Sequence, residues 1–414
     1  MILPFALWLL LMALAPIRLP QWWARHCGKL ALLFAAVSIG CYLLVLRGDA
    51  YHTVLRTARD YFSFIVLLGS LYVVSGGIQI SVQGEGNPLR NVCFLAMGGL
   101  AANIFGTTGA SVLLIRPWLA LNGSRTSSYH LVFFIFIVAN IGGGLTPMGD
   151  PPLLLGFLKG VPFWWVLRHC WAAWFCSMAL LLGLFYIIDK KHYAPASTDL
   201  PARAQWSVAG WWNFIFLAII VGALFIKQRL FLREGLMLAA ASGSFLATGQ
   251  KIREANQFNF EPMREVAVMF FGIFATMMPA LDWMQTHAIH ILGNNPSPRQ
   301  IYWVSGGLSS VLDSAPAYLA FASALSGVFV DPSAHGSLSL LGLAQTGSAY
   351  LAALSIGTVF FGAATYVGNA PNLIVKAIAE RRGVPVPTFP GYLCKWAVPI
   401  LLPLLLIIRV LFVR

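Results

Sequence analysis

The sequence predicts an all-α, polytopic membrane protein of two repeats, each carrying a re-entrant helical hairpin and an interrupted transmembrane helix. Three observations lead there. First, of 414 residues 58% are hydrophobic and only 10% charged, where soluble domains carry about a quarter charged residues. Apolar runs long enough to span a bilayer recur along the chain. Second, two long apolar segments are each interrupted by glycine, proline and polar residues, at Ala139–Leu153 and again at Phe361–Leu373. Gly and Pro weaken the helical ladder, a carboxylate at membrane depth is costly, and backbone leaves the helix there only where protein or a wet cavity receives it. Third, two other apolar blocks, 91–121 and 300–330, have the wrong length for simple spans. As one helix the first would reach roughly 46 Å, beyond a ~30 Å hydrocarbon core, yet it is too short for two spans and a loop.

The first repeat is expected over 1–188. Met1–Pro16 and Gly28–Leu46 read as two spans joined by a basic turn with Arg18, Arg25 and Lys29. A polar segment with Arg47, Arg56, Arg59 and Asp60 leads to a third span near Phe62–Ile80, and Gln83 to Pro88 is a turn signal. The 91–121 block holds Asn103-Ile104-Phe105-Gly106-Thr107-Thr108-Gly109-Ala110-Ser111, polar and bracketed by glycine. A hairpin with its tip at Gly106–Gly109 resolves the length; the alternative is one long tilted helix whose Thr hydroxyls bond its own backbone. The interrupted helix occupies 129–160: Tyr129–Leu145 runs into a break at Thr146–Pro152 and resumes through Lys159. A span near His169–Ile188 follows, with Trp164, Trp165, Trp171 and Trp174 placed as interfacial aromatics. Residues 189–209, rich in Lys, Pro and Asp, read as a polar linker.

The second repeat, 210–414, repeats the order. Spans at Gly210–Ile226 and Glu234–Thr248 precede a polar loop with Lys251, Arg253, Glu254, Glu261 and Arg264, then a span at Glu265–Leu281. A second hairpin is expected near 300–330, kinked at Leu308–Tyr318, and a second broken helix over 339–380. Gly391–Phe412 closes the chain. Leu100–Ala102 matches Leu308–Ser310 at an offset of 208, Gly149 matches Gly368 at 219, and Gly69 matches Gly272 at 203. If an odd number of crossings separates the halves, the repeats are inverted. The Lys and Arg counts tie across successive loops, so the positive-inside rule gives no orientation.

Composition also excludes. The formal charge of +13 belongs to residues flanking spans at lipid headgroups, and nucleic acid is not an expected partner. Six scattered cysteines without a C-x-x-C pair read as small buried hydrophobes. The apolar N-terminus has no preceding basic region, so a first span is expected rather than a cleaved signal. There is no phosphate-binding loop, nucleophile elbow or zinc-helix signature, and neither an ATP-driven pump nor an intramembrane enzyme is expected.

The chemistry concentrates at the breaks. Asp150 follows a glycine and precedes two prolines, so it reads either as an N-cap or as a site acid. Asp313, in the middle of an apolar block, is the sharper case, since a buried carboxylate can carry a proton and a cation in turn. Around them stand Asn103, Thr107, Thr108, Ser111, Asn140, Thr146, Ser309, Ser310, Ser314, Thr365, Asn369 and Asn372. Such oxygens, with free carbonyls at helix breaks, suit a hard cation, whereas half-helix N-termini suit an anion. His287 and His290 are spaced as a metal pair but read as interfacial; Glu265, Arg264 and Asp282 read as span boundaries, and Arg116 as snorkelling.

The windows Asn103–Ser111, Asn140–Pro152, Ser309–Pro316 and Gly368–Asn372 resemble the hairpins and broken helices of the ion transporter superfamily. That group includes NhaD-type sodium/proton antiporters, arsenite permeases, citrate transporters and divalent-anion/sodium symporters. The closest resemblance is to bacterial proteins described as sodium:proton antiporters or citrate transporters. It implies two inverted repeats, sites at both hairpin tips, homodimers, and elevator-like movement of a transport domain against a scaffold. It carries Asn103, Thr107 and Thr108 over to the first tip, Asp313 and Ser314 to the second, and Asp150, Asn369 and Asn372 to the interrupted helices. The Ser-Asn-Thr triplet of the divalent-anion symporters is absent at both tips, which lowers the dicarboxylate reading; the Asp at one tip favours proton-linked cation exchange, or proton-coupled movement of another substrate. The sequence reading is therefore a secondary active transporter of a bacterial inner membrane, exchanging Na⁺ for H⁺. Asp313, Asp150, Thr107 and Thr108 are its Na⁺ ligands, and it has no cofactor beyond the coupling ions Na⁺ and/or H⁺. The alternative is proton- or sodium-coupled transport of citrate or another carboxylate or oxyanion.

Overall fold

The computed structural model describes residues 2–46, 48–83, 86–193, 205–226, 231–293, 296–329 and 340–413. It opens with three helices, α1 (Leu3–Arg18), α2 (Pro20–Leu46) and α3 (Gly48–Gly76). Arg25 and Lys29 lie inside α2, and Arg56, Arg59 and Asp60 inside α3, so the expected basic turn and polar segment are helical. Charged residues near a helix end do not have to break it when their long stems reach the interface. After α3, strand β1 (Gln79–Gln83) pairs antiparallel with β2 (Gln205–Ala209), Gln79 opposite Ala209. The expected 189–209 linker is thereby corrected at both ends. Residues 189–191 belong to a helix and 205–209 to the strand, while 194–204 lie outside the described residues, as do Gly84, Glu85, Lys227, Arg229, Asn294, Asn295, Val330 and Ser339.

Helix α4 (Pro88–Asn122) is helical throughout except at Gly106, whose φ of 75° and ψ of 155° no L side chain adopts comfortably. There the chain folds back. Asn91 Nδ2 donates to Asn122 Oδ1 at 2.8 Å, and the Phe94 and Trp118 rings lie 5.3 Å apart. A straight helix would hold residues 91 and 122 about 46 Å apart. The fold point is Gly106 rather than the whole of Gly106–Gly109.

Next come α5 (Ser128–Ile137), α6 (Pro151–Leu158) and α7 (Trp165–Lys191), with a 3₁₀ turn at Ile141–Gly143 between the first two. The break thus begins at Val138, eight residues before the expected Thr146. Asn140 starts it by turning its side-chain amide onto the Ile135 carbonyl at 2.8 Å, which takes that acceptor from the helical ladder. Trp165 and Trp174 are buried, not interfacial: their indole N–H groups donate to Ala344 O and Gly142 O at 3.1 and 3.0 Å.

The second half contains α8 (Asn213–Ala223), α9 (Leu232–Ala247), α10 (Gln250–Ala255) and α11 (Glu261–Thr286). It continues with α12 (Ala288–Leu292), α13 (Pro298–Val311), α14 (Ser314–Phe329), α15 (Leu341–Thr346), α16 (Ser348–Phe361) and α17 (Ala370–Arg381). The chain ends in α18 (Phe389–Tyr392), a π-helical stretch at Leu393–Leu401 and α19 (Leu402–Phe412). Helix α11 starts earlier and ends later than expected, so Glu265 and Asp282 lie inside it; Asp282 accepts from the Tyr42 hydroxyl. His287 stacks on Trp283, and among the described residues no His, Cys, Asp and Glu group is arranged to hold a metal.

Six helices among the described residues are long and apolar enough to cross a membrane, and the chain is an integral membrane protein. One of the six is α4, which folds back. Helix α11 packs against α2, α3 and α14, while α13 lies along α16 and α4 along α3, α7 and α17. Both hairpins and both breaks are thereby gathered into one interior.

Candidate functional site

Each hairpin tip is hydrogen-bonded to the broken helix of its own half. At the first, Asn103 Nδ2 donates to Gly142 O at 2.6 Å, and Asn103 Oδ1 accepts from Leu145 N at 2.9 Å. Thr146 Oγ1 donates to the Asn103 carbonyl at 2.5 Å, and Thr107 N donates to Gly149 O at 2.7 Å. At the second tip, Thr365 Oγ1 donates to the Ser310 carbonyl at 2.6 Å and Ser309 Oγ to Thr358 O at 2.6 Å. Thr146 and Thr365 keep the 219 offset read from the sequence, but Asn103 and Ser310 stand 207 apart, not 208. On that register Asp313 stands opposite Gly106, not Phe105.

The two breaks also bind each other. Asn140 Nδ2 donates to Asn372 Oδ1 at 2.7 Å. Asn369 Nδ2 lies 3.2 Å from Asn140 Oδ1 and 2.8 Å from Asp150 Oδ1, which also accepts from Thr107 Oγ1 at 2.8 Å. Asp150 is only 1% exposed, and neither its Oδ2 nor the Oδ1 of Asn369 has a hydrogen-bond partner among the described residues. One network therefore joins Asp150, Thr107, Asn369, Asn140 and Asn372, with both halves of the chain contributing.

Asp150 and Asp313 differ in what their side chains bond. Asp150 occupies the N-cap position of α6 in extended conformation, but its side chain makes no cap bond. Pro151 and Pro152, at the first two positions, carry no N–H, and the next one, that of Leu153, is bonded to the Asp150 main-chain carbonyl at 3.1 Å. Asp313, between α13 and α14, accepts the Ala315 N–H on Oδ1 at 3.1 Å and so caps α14. The two acids share no hydrogen bond, yet Asp313 lies within electrostatic reach of Asp150.

The other expected residues divide between lining and bracing. Asn103, Thr146 and Thr365 brace the tips against the breaks. The Ser310 hydroxyl bonds Gly307 of its own helix at 2.7 Å, so only its carbonyl takes part. Ser314 is fully buried and its hydroxyl lacks a partner among the described residues. Thr108 and Thr107 line a small cavity of about 30 Å³ with Gly106, Met148 and Gly149. A second cavity of about 100 Å³ is lined by Asp313 and by Glu265. Pro262 and Val266 of α11 border both. Glu265 is the residue sequence reasoning missed, taken for a span boundary. The signal was present: Glu261-Pro262 is a helix start, which places Glu265 a turn inside.

The electrostatics are one-sided. Among the described residues no Lys, Arg or His lines either cavity. The half-helices that start here, α6, α14 and α17, hold Pro151, Pro152, Pro316 and Pro371 in their first turns. An anion site at a helix N-terminus is made of free backbone N–H groups; prolines take the first two positions of α6 and one in the first turn of α14 and of α17, where the Ala315 N–H is already bonded to Asp313 and the Asn372 N–H to Asn369 O.

A family model described as "putative citrate transport" matches residues 1–413. Uncharacterized transporters of Mycobacterium bovis and Mycobacterium tuberculosis are each 23% identical over 360 residues, covering 80% of this chain and 81% of the relative.

Proposed function

The chain belongs to the family described as "putative citrate transport" and is a transporter, not an enzyme; from that premise we propose that it is a secondary active transporter exchanging Na⁺ for H⁺. One observation carries the reading: Asp150 Oδ2 and Asn369 Oδ1, both buried, lack a donor among the described residues, in a region whose cavities no described basic side chain lines. A buried carboxylate oxygen left unpaired costs several kcal/mol unless a proton or a cation neutralises it. Proton and cation compete for the same oxygen, and that competition is the coupling. Asp150 is the central ligand in this reading, with Asp313 as the second acid and Thr107, Thr108 and Asn369 supplying neutral oxygens of the kind hard cations prefer. The like-patterned bonding at the two tips supports inverted repeats with re-entrant hairpins. A homodimer in the inner membrane completes the reading, and light scattering of the detergent-solubilised protein tests that part.

The family description favours a second reading, transport of citrate or a related carboxylate. The cavity of about 100 Å³ falls below the roughly 300–1,000 Å³ of usual small-molecule sites, and its charged lining is acidic. A carboxylate cargo would therefore need accompanying cations and a wider state of the site. Proteoliposomes with a preset pH gradient separate the readings. A Na⁺ pulse is expected to dissipate the gradient with no organic anion present; if the gradient holds until citrate is added, cation exchange is the wrong reading.

A further inference from the structure

The cavity that Asp313 lines has a second acid in its wall, Glu265. It lies between α1, α11 and the start of α17, with walls that include Leu9, Met12, Met269 and Leu373. Among the described residues its charged lining groups are Asp313, half-buried, and Glu265, exposed, and no Lys, Arg or His lines it. Glu265 has no ion pair among the described residues either. A carboxylate inside an apolar span without a partner is costly, and no contact seen here offsets that cost. The Ala315 N–H occupies Oδ1 of Asp313, which leaves Oδ2 as the oxygen for a cation.

Resting on the cation reading above, we propose that Glu265 is the entry carboxylate of the ion route: it captures the cation at the cavity mouth and hands it to Asp313. Three acids then stand in order of falling exposure. Glu265 is exposed, Asp313 is half-buried, and Asp150 is 1% exposed with an oxygen that no donor reaches. A cation moving inward replaces water by carboxylate oxygen at each stage. The apolar walls keep competing dipoles away and strengthen the field between the two acids. Pro262 and Val266, which flank Glu265, also border the cavity at Thr107 and Thr108. The same two turns of α11 therefore face both hairpin tips, and Glu265 is the acid they carry.

A capture role is electrostatic and so depends on ionic strength, which a packing role does not. The Debye length is about 30 Å at 0.01 M and about 3 Å at 1 M. The test uses full-length protein in proteoliposomes, with initial rates of Na⁺-driven proton movement measured for wild type, Glu265→Gln and Glu265→Asp. At low ionic strength Glu265→Gln is expected to raise the apparent KM for Na⁺ about tenfold, with the maximal rate within about twofold of wild type. Glu265→Asp should restore most of the affinity, and the difference should shrink as choline chloride is raised toward 1 M. An unchanged KM at low ionic strength overturns the proposal. So does a loss of maximal rate that ionic strength leaves untouched, or a lowered KM for citrate in the Gln variant. Calorimetric titration of the purified protein with NaCl keeps this test apart from the antiport reading. If wild type binds Na⁺ in a Glu265-dependent way without exchanging protons, antiport fails and the entry role stands. If wild type exchanges and Glu265→Gln matches it in both assays, the entry role fails alone.

Discussion

Asp150 and Asp313 divide the two tasks open to a carboxylate at a helix break, and the residues that follow each decide the division. Asp313 precedes Ser314-Ala315, whose N–H groups are free to be capped, and it caps. Asp150 precedes Pro151-Pro152, which have none, and it turns to Thr107 and Asn369 instead. Substitution should separate charge from structure at both. Asp150→Asn keeps an acceptor for Thr107 and removes an uncompensated charge, so the protein is expected to fold with unchanged or higher Tm in Na⁺-free buffer. It should lose more than about 99% of exchange, and the Tm gain that Na⁺ gives wild type should vanish. Asn caps a helix as well as Asp does, so Asp313→Asn should lose exchange at wild-type stability, whereas Asp313→Ala should also lose about 1 kcal/mol. A Na⁺-dependent Tm gain surviving in Asp150→Asn would remove Asp150 from the ion site. The prolines after Asp150 were in plain view, yet the sequence left the cap open as one of its two readings. Which oxygens face Asp150 was not legible, because Thr107 and Asn369 reach it from 43 and 219 positions away.

The breaks are held open by backbone meeting backbone, a property of elements rather than side chains. A Cβ on Gly149 would lie 1.9 Å from Gly143 O, and one on Gly368 would lie 2.6 Å from Gly362 O. Both breaks thus close a loop of the same span on the same glycine, which is why Gly149 and Gly368 matched in the sequence. Gly69 was matched to Gly272 on equal grounds, yet a Cβ at Gly69 meets nothing within 4 Å, while one at Gly272 would strike Trp8 at 2.4 Å. Gly149→Ala and Gly368→Ala are expected to cost about 1–3 kcal/mol each and to depress exchange. Gly69→Ala, inside α3, should be neutral or gain about 0.5–1 kcal/mol from helix propensity. Chemical denaturation of the three variants checks the order, and a Gly149→Ala protein as stable as Gly69→Ala would show that the break tolerates a wider loop. The hairpins and breaks themselves were legible because polar residues at membrane depth need a site. Their edges were less so: the first break begins at Val138 because the Asn140 amide reaches back to Ile135 O, and Asn140 in the sequence marked the place without showing that bond.

At the scale of the whole molecule the two halves are matched in order but not in how they are tied down. Asp189 joins the open ends of the first hairpin to α5 and α7: Asn91 donates to its Oδ2 at 2.8 Å, Arg125 and Tyr129 to its Oδ1 at 2.8 and 2.9 Å. At the 207 offset the second hairpin has Pro298 and Phe329 where the first has Asn91 and Asn122, so it cannot be closed in that way. Sequence placed Asp189 in a linker because its partners come from elements that only the fold brings to it. The half-helix α6 carries the second clue to movement. Asp150 stands at one end, and at the other Lys159 donates to Asp60 of α3 at 2.7 Å, with both side chains mostly buried. If a transport domain slides against a scaffold that includes α3, this pair spans the sliding surface and must part on every cycle. In a cysteine-free background, Asp60→Cys with Lys159→Cys bridged by Hg²⁺ is then expected to stop exchange, and added thiol to restore it. The unbridged double variant serves as the control for the lost ion pair. Full exchange by the bridged protein would mean that α3 and α6 travel as one body, and the moving surface would then lie elsewhere on α3, such as its contact with α9.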